Sequence, residues 1–330
     1  MIIKEVKLSR GFPFFKEEVF VFTNERKFSL DEKWNKDLVE DLNSKLKNFK
    51  IESAEDFSNL KNTLRNLGNE KYKILEKKIS KNIKQFWKFF DPSVTQIPRP
   101  LYVVLEKNIG AREFVVFSLN AKDFDAVFNS CKRIKDFINK NISDVNKSKE
   151  EDLLMLLKEA IDAEHELVNF ELRVGVVFNN FDKGFYNYVG TNLNPSEQLD
   201  FLSKLIEKYG VVYVENPFDE MDLSNYKKLT NKYKSLCLVC LNSKINEYNR
   251  GVSEGMFNTS LVKFNDIADF RSEVLHLKDN SINIIAEQSD FIDAVVGLKI
   301  SLVKLYDNNI GNSTAERLRE IIKEIEQAKN

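Results

Sequence analysis

The clearest candidate for chemistry in this sequence is an acidic residue at the end of a predicted strand. Residues 211–220 read Val-Val-Tyr-Val-Glu-Asn-Pro-Phe-Asp-Glu, so a short apolar run stops at Glu215 and then turns through a proline. Such a run predicts a buried strand, and the proline favours a turn after it. Where parallel strands alternate with helices in a barrel, chemistry is carried at the carboxyl ends of the strands. Glu215 is therefore a candidate functional residue.

The three cysteines predict neither a disulfide framework nor a metal site. Cys237 and Cys240 have the CxxC spacing, but they lie within the apolar run of residues 236–241. In a strand, positions three apart face opposite sides of the sheet. No second CxxC and no nearby histidine completes a metal-binding pattern in the sequence. The spacing therefore favours a core strand over a metal or redox pair.

The composition of the 330-residue chain argues against several classes of protein. Lys and Arg total 50 against 51 Asp and Glu, so no basic excess points to nucleic acid. No apolar run approaches the roughly 20 residues that span a bilayer, and the first residues lack the apolar core of a signal peptide. Because the chain has only two histidines, His165 and His276, we do not expect histidine metal sites or a Ser-His triad. We expect a cytoplasmic protein without membrane or nucleic-acid partners.

Residues 1–96 predict a small α+β domain. Alternating apolar residues at 2–7 and 17–23 predict two antiparallel strands, joined by the turn-prone sequence Ser-Arg-Gly-Phe-Pro at residues 9–13. From residue 30 to residue 90 the apolar period becomes helical, and one face carries Trp34, Leu38, Leu42 and Leu46. Three of the six prolines fall between residues 92 and 100, so we place the domain boundary between residues 96 and 97.

Residues 97–330 predict a β/α barrel, which makes the fold class α/β. About eight strand-like runs alternate with helical segments, and this suits a closed barrel better than an open sheet. The predicted strands are residues 101–105, 114–119, 172–178, 211–215, 236–241, 261–264, 282–286 and 300–304. The predicted helices are residues 151–163, 195–209, 223–233 and 290–297. Functional residues are then expected where the strands end.

Several short motifs, in matching order, resemble those of the enolase family. They are Ser-Arg-Gly-Phe-Pro at 9–13, Ile-Pro-Arg-Pro-Leu at 97–101, Asn-Pro-Ser-Glu-Gln-Leu at 194–199, Ser-Leu-Val-Lys-Phe-Asn-Asp-Ile at 260–267, and Ser-Thr-Ala-Glu-Arg-Leu at 313–318. The resemblance covers nearly the whole chain and is most specific over residues 195–320. It implies a small α+β amino-terminal domain followed by a TIM-like barrel.

The resemblance also implies roles for four residues. Enolases convert 2-phosphoglycerate to phosphoenolpyruvate: a lysine takes a proton, a glutamate helps the hydroxyl leave, and two magnesium ions neutralise the developing charge. By resemblance the base falls on Lys263, and the lysine that contacts the substrate carboxylate falls on Lys304. Glu113 resembles a carboxylate of the family's Gln-Glu-Phe segment. Glu215 resembles a metal ligand.

Other positions depart from the enolase pattern. Arg173 stands where the resemblance places the first metal aspartate, and Cys-Leu-Asn-Ser at 240–243 replaces the stretch with the third metal carboxylate. Ala-Glu-Gln-Ser at 286–289 replaces the phosphate-binding Ser-His-Arg-Ser segment, leaving Gln288 and Ser289, with Arg173, as candidate substrate contacts. Magnesium prefers several oxygen ligands. Glu215 is the sole remaining ligand of the family set, so we expect it not to hold magnesium and expect no cofactor.

Two family loops also have no counterpart in the sequence. The lid that closes over substrate would fall between residues 23 and 34, and the loop that supplies the dehydration glutamate would fall between residues 142 and 151. Both segments are too short for those loops. Without lid, metals and acid, we do not expect classical enolase turnover.

Two functional hypotheses follow. The first is a pseudoenzyme with a binding or assembly role, in which Glu215 and Glu287 neutralise Arg173, Lys263 and Lys304 in the barrel mouth. It predicts no magnesium binding and a functional surface patch outside the mouth. The second is an enzyme with altered lysine-based acid/base chemistry on another small carboxylate or phosphorylated acid, with Arg173 as the carboxylate clamp. It predicts a positively charged pocket.

The resemblance and one aromatic cluster bear on partners. Enolases commonly pair through their amino-terminal domains, so a homodimer is what the resemblance implies. Residues 86–90 read Phe-Trp-Lys-Phe-Phe, and we expect most of this cluster to pack in the core and the seam between domains. An exposed remainder would mark the surface for an unidentified protein partner.

Overall fold

The computed structural model describes residues 1–10, 17–30, 34–65, 68–242, 248–289 and 291–328. Within them, a small amino-terminal sheet with helices packs against a closed eight-stranded barrel. The fold is the expected α/β architecture. The boundary between residues 96 and 97 stays a prediction, and the first barrel strand begins at Arg99.

The amino-terminal region contains one more strand than the sequence predicts. Strands β1 (Ile3–Arg10), β2 (Glu17–Thr23) and β3 (Lys27–Leu30) form an antiparallel sheet in that order. The helices are α1 (Lys36–Leu46), α2 (Asp56–Thr63) and α3 (Asn69–Lys81), followed by a 3-10 turn at Phe86–Phe89. The sequence predicts a helical pattern from Leu30 onward, whereas in the structure Leu30 is the last residue of β3. Residues 11–13 of the predicted turn lie outside the described residues.

The amino-terminal core explains the aromatic residues of this region. Leu42 and Leu46 are fully buried on the inner face of α1, while Trp34 is buried just before the helix begins. The side chain of Asn35 caps α1 by accepting from the Leu38 backbone N–H. Phe86 and Trp87 are also buried, and the Phe86 ring packs against Phe57, Phe89 and Phe90. The aromatic cluster is mainly core, as expected.

The barrel contains eight strands, in agreement with the sequence. They are β4 (Arg99–Glu106), β5 (Ala111–Ser118), β6 (Leu172–Phe178), β10 (Tyr213–Glu215), β11 (Leu238–Asn242), β12 (Thr259–Val262), β13 (Asn283–Glu287) and β14 (Leu302–Leu305). A separate small sheet follows β6 and consists of β7 (Phe181–Asp182), β8 (Phe185–Tyr188) and β9 (Thr191–Leu193). Cys240 lies in β11, and Cys131, Cys237 and Cys240 are buried free thiols.

One barrel strand runs against the others. Strand β5 is antiparallel to both β4 and β6, whereas the remaining barrel pairs are parallel. Only residues 107–110 separate β4 from β5, too few for the crossover that a parallel pair requires. The ammonium of Lys107 lies 2.8 Å from Oε1 of Glu150, and this buried ion pair holds the turn against the start of the helix that begins at Glu150. The turn brings Glu113 to the same end of the barrel as the ends of the parallel strands.

Eight helices of the described chain accompany the barrel. They are α4 (Phe124–Asn141), α5 (Glu150–His165), α6 (Pro195–Tyr209), α7 (Leu223–Tyr233), α8 (Tyr248–Ser253), α9 (Ile267–Asp279), α10 (Ile292–Gly297) and α11 (Asn309–Gln327). Helix α6 has the predicted bounds. It starts with a capping box formed by Asn194 and Glu197 and with Pro195 in its first turn, and it ends at Gly210, which has a φ of 66°. None of the described helices is long and apolar enough to cross a membrane.

The seam between the two regions is polar as well as apolar. Ile267, the first residue of α9, packs into the amino-terminal core, and its backbone N–H lies 3.2 Å from both carboxylate oxygens of Glu76. The Tyr72 hydroxyl donates to Oε1 of Glu76 at 2.8 Å. Nearby, Lys61 pairs with Asp266 at 2.8 Å and with Asp269 at 2.7 Å. These contacts attach helices α2 and α3 to the barrel.

Candidate active-site region in the barrel mouth

A buried lysine joins two glutamates at the floor of the barrel mouth. Lys304 Nζ lies 2.7 Å from Oε2 of Glu113 and 2.8 Å from Oε2 of Glu215. The three residues come from β14, β5 and β10, and closure of the barrel brings their side chains together. Lys304 is 1% exposed, Glu215 3% and Glu113 7%. We call these three residues the floor triad.

Two tyrosines complete the hydrogen bonding of the floor triad. The Tyr213 hydroxyl donates to Oε2 of Glu215 at 2.8 Å, and the Tyr306 hydroxyl lies 3.3 Å from both oxygens of Glu113. Sequence reasoning missed both tyrosines. The available signal was their position two residues from Glu215 and Lys304, because alternate strand residues share a face. Each carboxylate of the triad thus accepts from an ammonium and a phenol.

A glycine makes room for one of these tyrosines. Gly175 of β6 is paired with Tyr213 of β10, and a Cβ atom at residue 175 would lie 2.7 Å from Tyr213 and 2.8 Å from Val115. A side chain there would force the tyrosine to move. Gly175 therefore fixes the position from which Tyr213 reaches Glu215.

The floor triad favours a charged lysine. Burial alone would lower the pKa of Lys304, but the attraction of Glu215 and then of Glu113 outweighs it and raises the pKa above its ordinary value. Burial also raises the pKa of Tyr213 and of Tyr306, so both phenols stay protonated donors. The triad therefore pairs one ammonium with two carboxylates, a formal charge of −1, and its other donors are the neutral phenols.

A second lysine pair lies higher in the mouth. Lys263 Nζ is 3.1 Å from Oε1 of Glu287, and the two side chains are 28% and 25% exposed. Lys263 follows strand β12 directly, and Glu287 ends the neighbouring strand β13. The predicted neutralisation of lysines by Glu215 and Glu287 is thus present for both Lys304 and Lys263.

The cavity above the floor triad is acidic. It has a volume of about 650 Å³, and the triad and the Lys263–Glu287 pair lie in its wall. Its carboxylates belong to Glu106, Glu113, Glu215, Asp219, Glu220 and Glu287, against the cations of Arg112, Lys263 and Lys304. Six acidic groups against three basic ones give the lining a formal charge of −3. The second hypothesis predicted a positively charged pocket, so this charge counts against it.

Arg173 does not belong to this cavity, which corrects the expectation drawn from the sequence. It is the second residue of β6, whereas Glu215 is level with Val177 of the same strand. Four residues of strand correspond to about 13 Å. Arg173 therefore lies near the opposite end of the barrel, where its guanidinium pairs with Glu171 at 2.8 Å. Arg173 is the one polar residue of β6, so no alternation of polar and apolar residues indicated its level in the barrel.

The side chains of Gln288 and Ser289 form hydrogen bonds with residues that follow strands β13 and β14. The Gln288 side chain accepts from the Tyr306 backbone N–H at 2.9 Å and donates to Oδ1 of Asn308 at 3.0 Å. The Ser289 hydroxyl accepts from the Phe291 backbone N–H at 3.0 Å. Neither residue lines the 650 Å³ cavity, although the Gln288 backbone N–H donates to the Lys304 carbonyl at 3.0 Å. Their role as substrate contacts is not supported by this placement.

Comparison with known proteins agrees with the barrel and its mouth. The family model "Enolase, C-terminal TIM barrel domain" matches residues 143–283. The enolase of Archaeoglobus fulgidus is 23% identical over 270 residues, which cover 69% of this chain and 65% of that protein. The enolase of Sulfurisphaera tokodaii is 24% identical over 268 residues, covering 70% and 64%. This chain is a member of the enolase family.

A shorter match has higher identity. The enolase of Natronomonas pharaonis is 33% identical over 119 residues, which cover 34% of this chain and 30% of that protein. The matches described here thus span from 30% to 65% of the length of the related enolases. The activity of the relatives does not transfer to this enolase-family chain with membership alone.

The floor of this enolase-family barrel does not fit the magnesium ion that the family implies. Magnesium demands several oxygen ligands in near-octahedral geometry. Among the described residues, no group of three or more His, Cys, Asp or Glu side chains could hold a metal ion. Glu113 and Glu215, the two buried carboxylates, already share the ammonium of Lys304. In the replaced stretch, Asn242 lines the cavity while Ser243 lies outside the described residues.

Proposed function

We propose that this enolase-family protein is not a phosphopyruvate hydratase and has a binding or assembly role. The observation that supports this most is the floor triad, in which Lys304 Nζ lies within 2.8 Å of both Glu113 and Glu215. A lysine that neutralises two buried carboxylates is not available to a substrate carboxylate. Removing it from them would leave two uncompensated buried charges, which is costly.

The charge of the mouth supports the same proposal. 2-Phosphoglycerate carries a carboxylate and a phosphate, and the cavity lining has six carboxylates against three cations. Like charges across a binding site oppose association. In enolases magnesium offsets this repulsion, and the carboxylates of the floor triad do not fit that ion. No resident cofactor is part of the proposal.

The alternative is an enzyme that uses Lys263 for acid/base chemistry on another small acid. One observation favours it: Lys263 is partly exposed in a cavity of about 650 Å³, a size typical of ligand sites. The acidic lining weighs against any anionic substrate, and Glu287 already holds the ammonium of Lys263. We therefore rank the non-catalytic role first.

The same proposal includes a cytoplasmic location and a homodimer. The near balance of 50 basic and 51 acidic residues is consistent with no nucleic-acid partner. The homodimer rests on the resemblance to enolases. Analytical ultracentrifugation at several concentrations tests it.

The test of catalysis is conversion of 2-phosphoglycerate to phosphoenolpyruvate in excess magnesium, with Lys263→Ala as the matched variant. We expect no turnover by either protein and no magnesium-dependent rise in melting temperature. Turnover that the substitution abolishes would overturn the proposal. Turnover that persists in the variant would point to a contaminating enolase, and repurification of both proteins would then decide.

A further inference from the structure

Exposed apolar side chains surround the end of the barrel at which the parallel strands finish. The described residues include ten large apolar side chains that are exposed, and five of them follow β4, β6, β10 or β14 at this end. These five are Ile109, Phe181, Phe185, Met221 and Ile310, and we call them the apolar rim. Apolar side chains that surround a pocket are typical of binding sites, whereas single exposed ones need no explanation.

The cavity inside the rim has unbalanced acidic charge. Lys304 and Lys263 are already committed to Glu113, Glu215 and Glu287. Glu106, Asp219 and Glu220 also line the cavity, and none of them forms an ion pair with a described residue. Arg112 is the remaining basic side chain of the described lining. The complement of this charge is a cation that enters from outside.

Aromatic rings in the wall suit the same kind of ligand. Phe178, Phe181, Tyr186 and Phe218 line the cavity together with the carboxylates. Ring faces attract ammonium and guanidinium groups, and carboxylates form charge-assisted hydrogen bonds with them. Phe181, which is 38% exposed, offers such a ring beside the carboxylates, and this suits the side chain of a lysine or an arginine.

We propose that the barrel mouth docks a segment of a partner protein in which lysine or arginine is flanked by large apolar residues. The basic side chain enters the acidic cavity, and its apolar neighbours cover Phe185, Met221 and the rest of the rim. A free small amine would neutralise the cavity but leave the rim exposed. This inference rests on the proposed binding role, but it places that role in the mouth itself and not, as the sequence predicted, in a surface patch outside it.

The test is selection of a random heptapeptide phage library on the full-length protein. We expect selected peptides to be enriched in Arg or Lys next to Leu, Ile, Phe or Met relative to the unselected library. Binding of the best peptide, measured by calorimetry, should weaken about tenfold or more in the variant Glu106→Gln/Asp219→Asn/Glu220→Gln and at high salt. The matched control is Asp162→Asn/Glu166→Gln/Asp279→Asn, which removes three exposed charges elsewhere.

A second pair of variants tests the apolar rim. Phe185→Ser/Met221→Ser should weaken the peptide, whereas Leu167→Ser/Leu236→Ser, which alters exposed apolar residues at the other end of the barrel, should not. The inference is wrong if no basic and apolar consensus appears, or if the mouth variants bind the peptide as tightly as their controls. Such a failure without turnover of 2-phosphoglycerate would leave the binding role standing, whereas turnover would remove both.

Discussion

The barrel mouth and the seam between domains bury carboxylates in opposite ways. In the mouth, Glu113 and Glu215 share the ammonium of Lys304 at 2.7 and 2.8 Å. In the seam, Glu76 is 0% exposed and contacts a phenol, that of Tyr72, and a backbone N–H. Lys61 is nearby but is directed to Asp266 and Asp269 instead. The mouth pairs its buried glutamates with a cation, whereas in the seam Glu76 forms no ion pair with a described residue.

This difference in contacts determines which side chains hold a proton. Burial raises the pKa of Glu76 to about 8, helped by repulsion from Asp266 and opposed by the hydrogen bonds from Tyr72 and Ile267. Glu76 is therefore largely neutral at pH 7, whereas the floor triad keeps Lys304 charged. A buried acid in this fold is stabilised either by an ion pair or by a proton. The ion pair keeps Lys304 charged in the mouth, and the proton on Glu76 makes the seam sensitive to pH.

The largest expected effect is on the ion pair of the mouth. Lys304→Met leaves Glu113 and Glu215 buried without their cation, and we expect a loss of about 3–5 kcal/mol in the free energy of unfolding. Urea denaturation at pH 7 measures it. Lys263→Met is the control, because its pair is about a quarter exposed and should cost about 1 kcal/mol or less. If the two variants lose equal stability, the triad does not carry a buried charge.

The next effect is a pH dependence that comes from the seam. The folded-state pKa of Glu76, about 8, exceeds its ordinary value of 4.5, so the folded state keeps a proton that the unfolded state releases. Stability is therefore full below pH 4.5 and falls as pH rises towards 8, by up to about 1.4 kcal/mol per pH unit. Glu76→Gln should remove this part of the slope and be the more stable protein at pH 9. Equal slopes for both proteins in urea titrations from pH 5 to 9 would contradict it.

How far the sequence could predict the molecule depends on the range of the interactions. Helices α6 and α7 and strand β6 agree with their predicted bounds, because capping residues and continuous apolar runs are local signals. Strand β3 was missed because four residues carry too little pattern to separate a strand from the start of a helix. Helices α4 and α9 were also missed, although apolar residues recur at three- and four-residue spacing in α4.

The candidate site was predictable only in part. The rule that chemistry lies at strand ends singled out Glu215, Lys263 and Lys304, and the structure places all three in the wall of one cavity. The contact between Lys304 and Glu113 joins residues 191 positions apart and depends on the reversed direction of β5, which the sequence reading did not include. The position of Arg173 was wrong because β6 has no other polar residue to show an alternation, and its level in the barrel is set by pairing with β5 and β10.

Two tyrosine substitutions, one in the mouth and one in the seam, should change stability by an intermediate amount. Tyr213→Phe removes the hydrogen bond to Glu215, and we expect a loss of about 1.5–3 kcal/mol that does not vary from pH 6 to 9, because Lys304 still holds the carboxylate. Tyr72→Phe removes a bond that lowers the pKa of Glu76, so the fall in stability should extend to higher pH than in the unaltered protein. Parallel urea titrations measure both. A pH-dependent loss in Tyr213→Phe would mean that the mouth also relies on a proton.

The smallest effect should come from the ion pair of the seam, in which Asp266 is buried but Lys61 and Asp269 reach solvent. Lys61 is about a third exposed and lies 2.8 Å from Asp266 and 2.7 Å from Asp269. Asp266 keeps its role as the cap of α9 without Lys61, because its side chain accepts from the Asp269 backbone N–H. We therefore expect Lys61→Met to cost about 1 kcal/mol or less, and the loss to shrink in high salt, which screens exposed charges. A loss as large as that of Lys304→Met, unchanged by salt, would mean that the seam depends on a cation in the same way as the mouth, and the distinction between the two regions would fail.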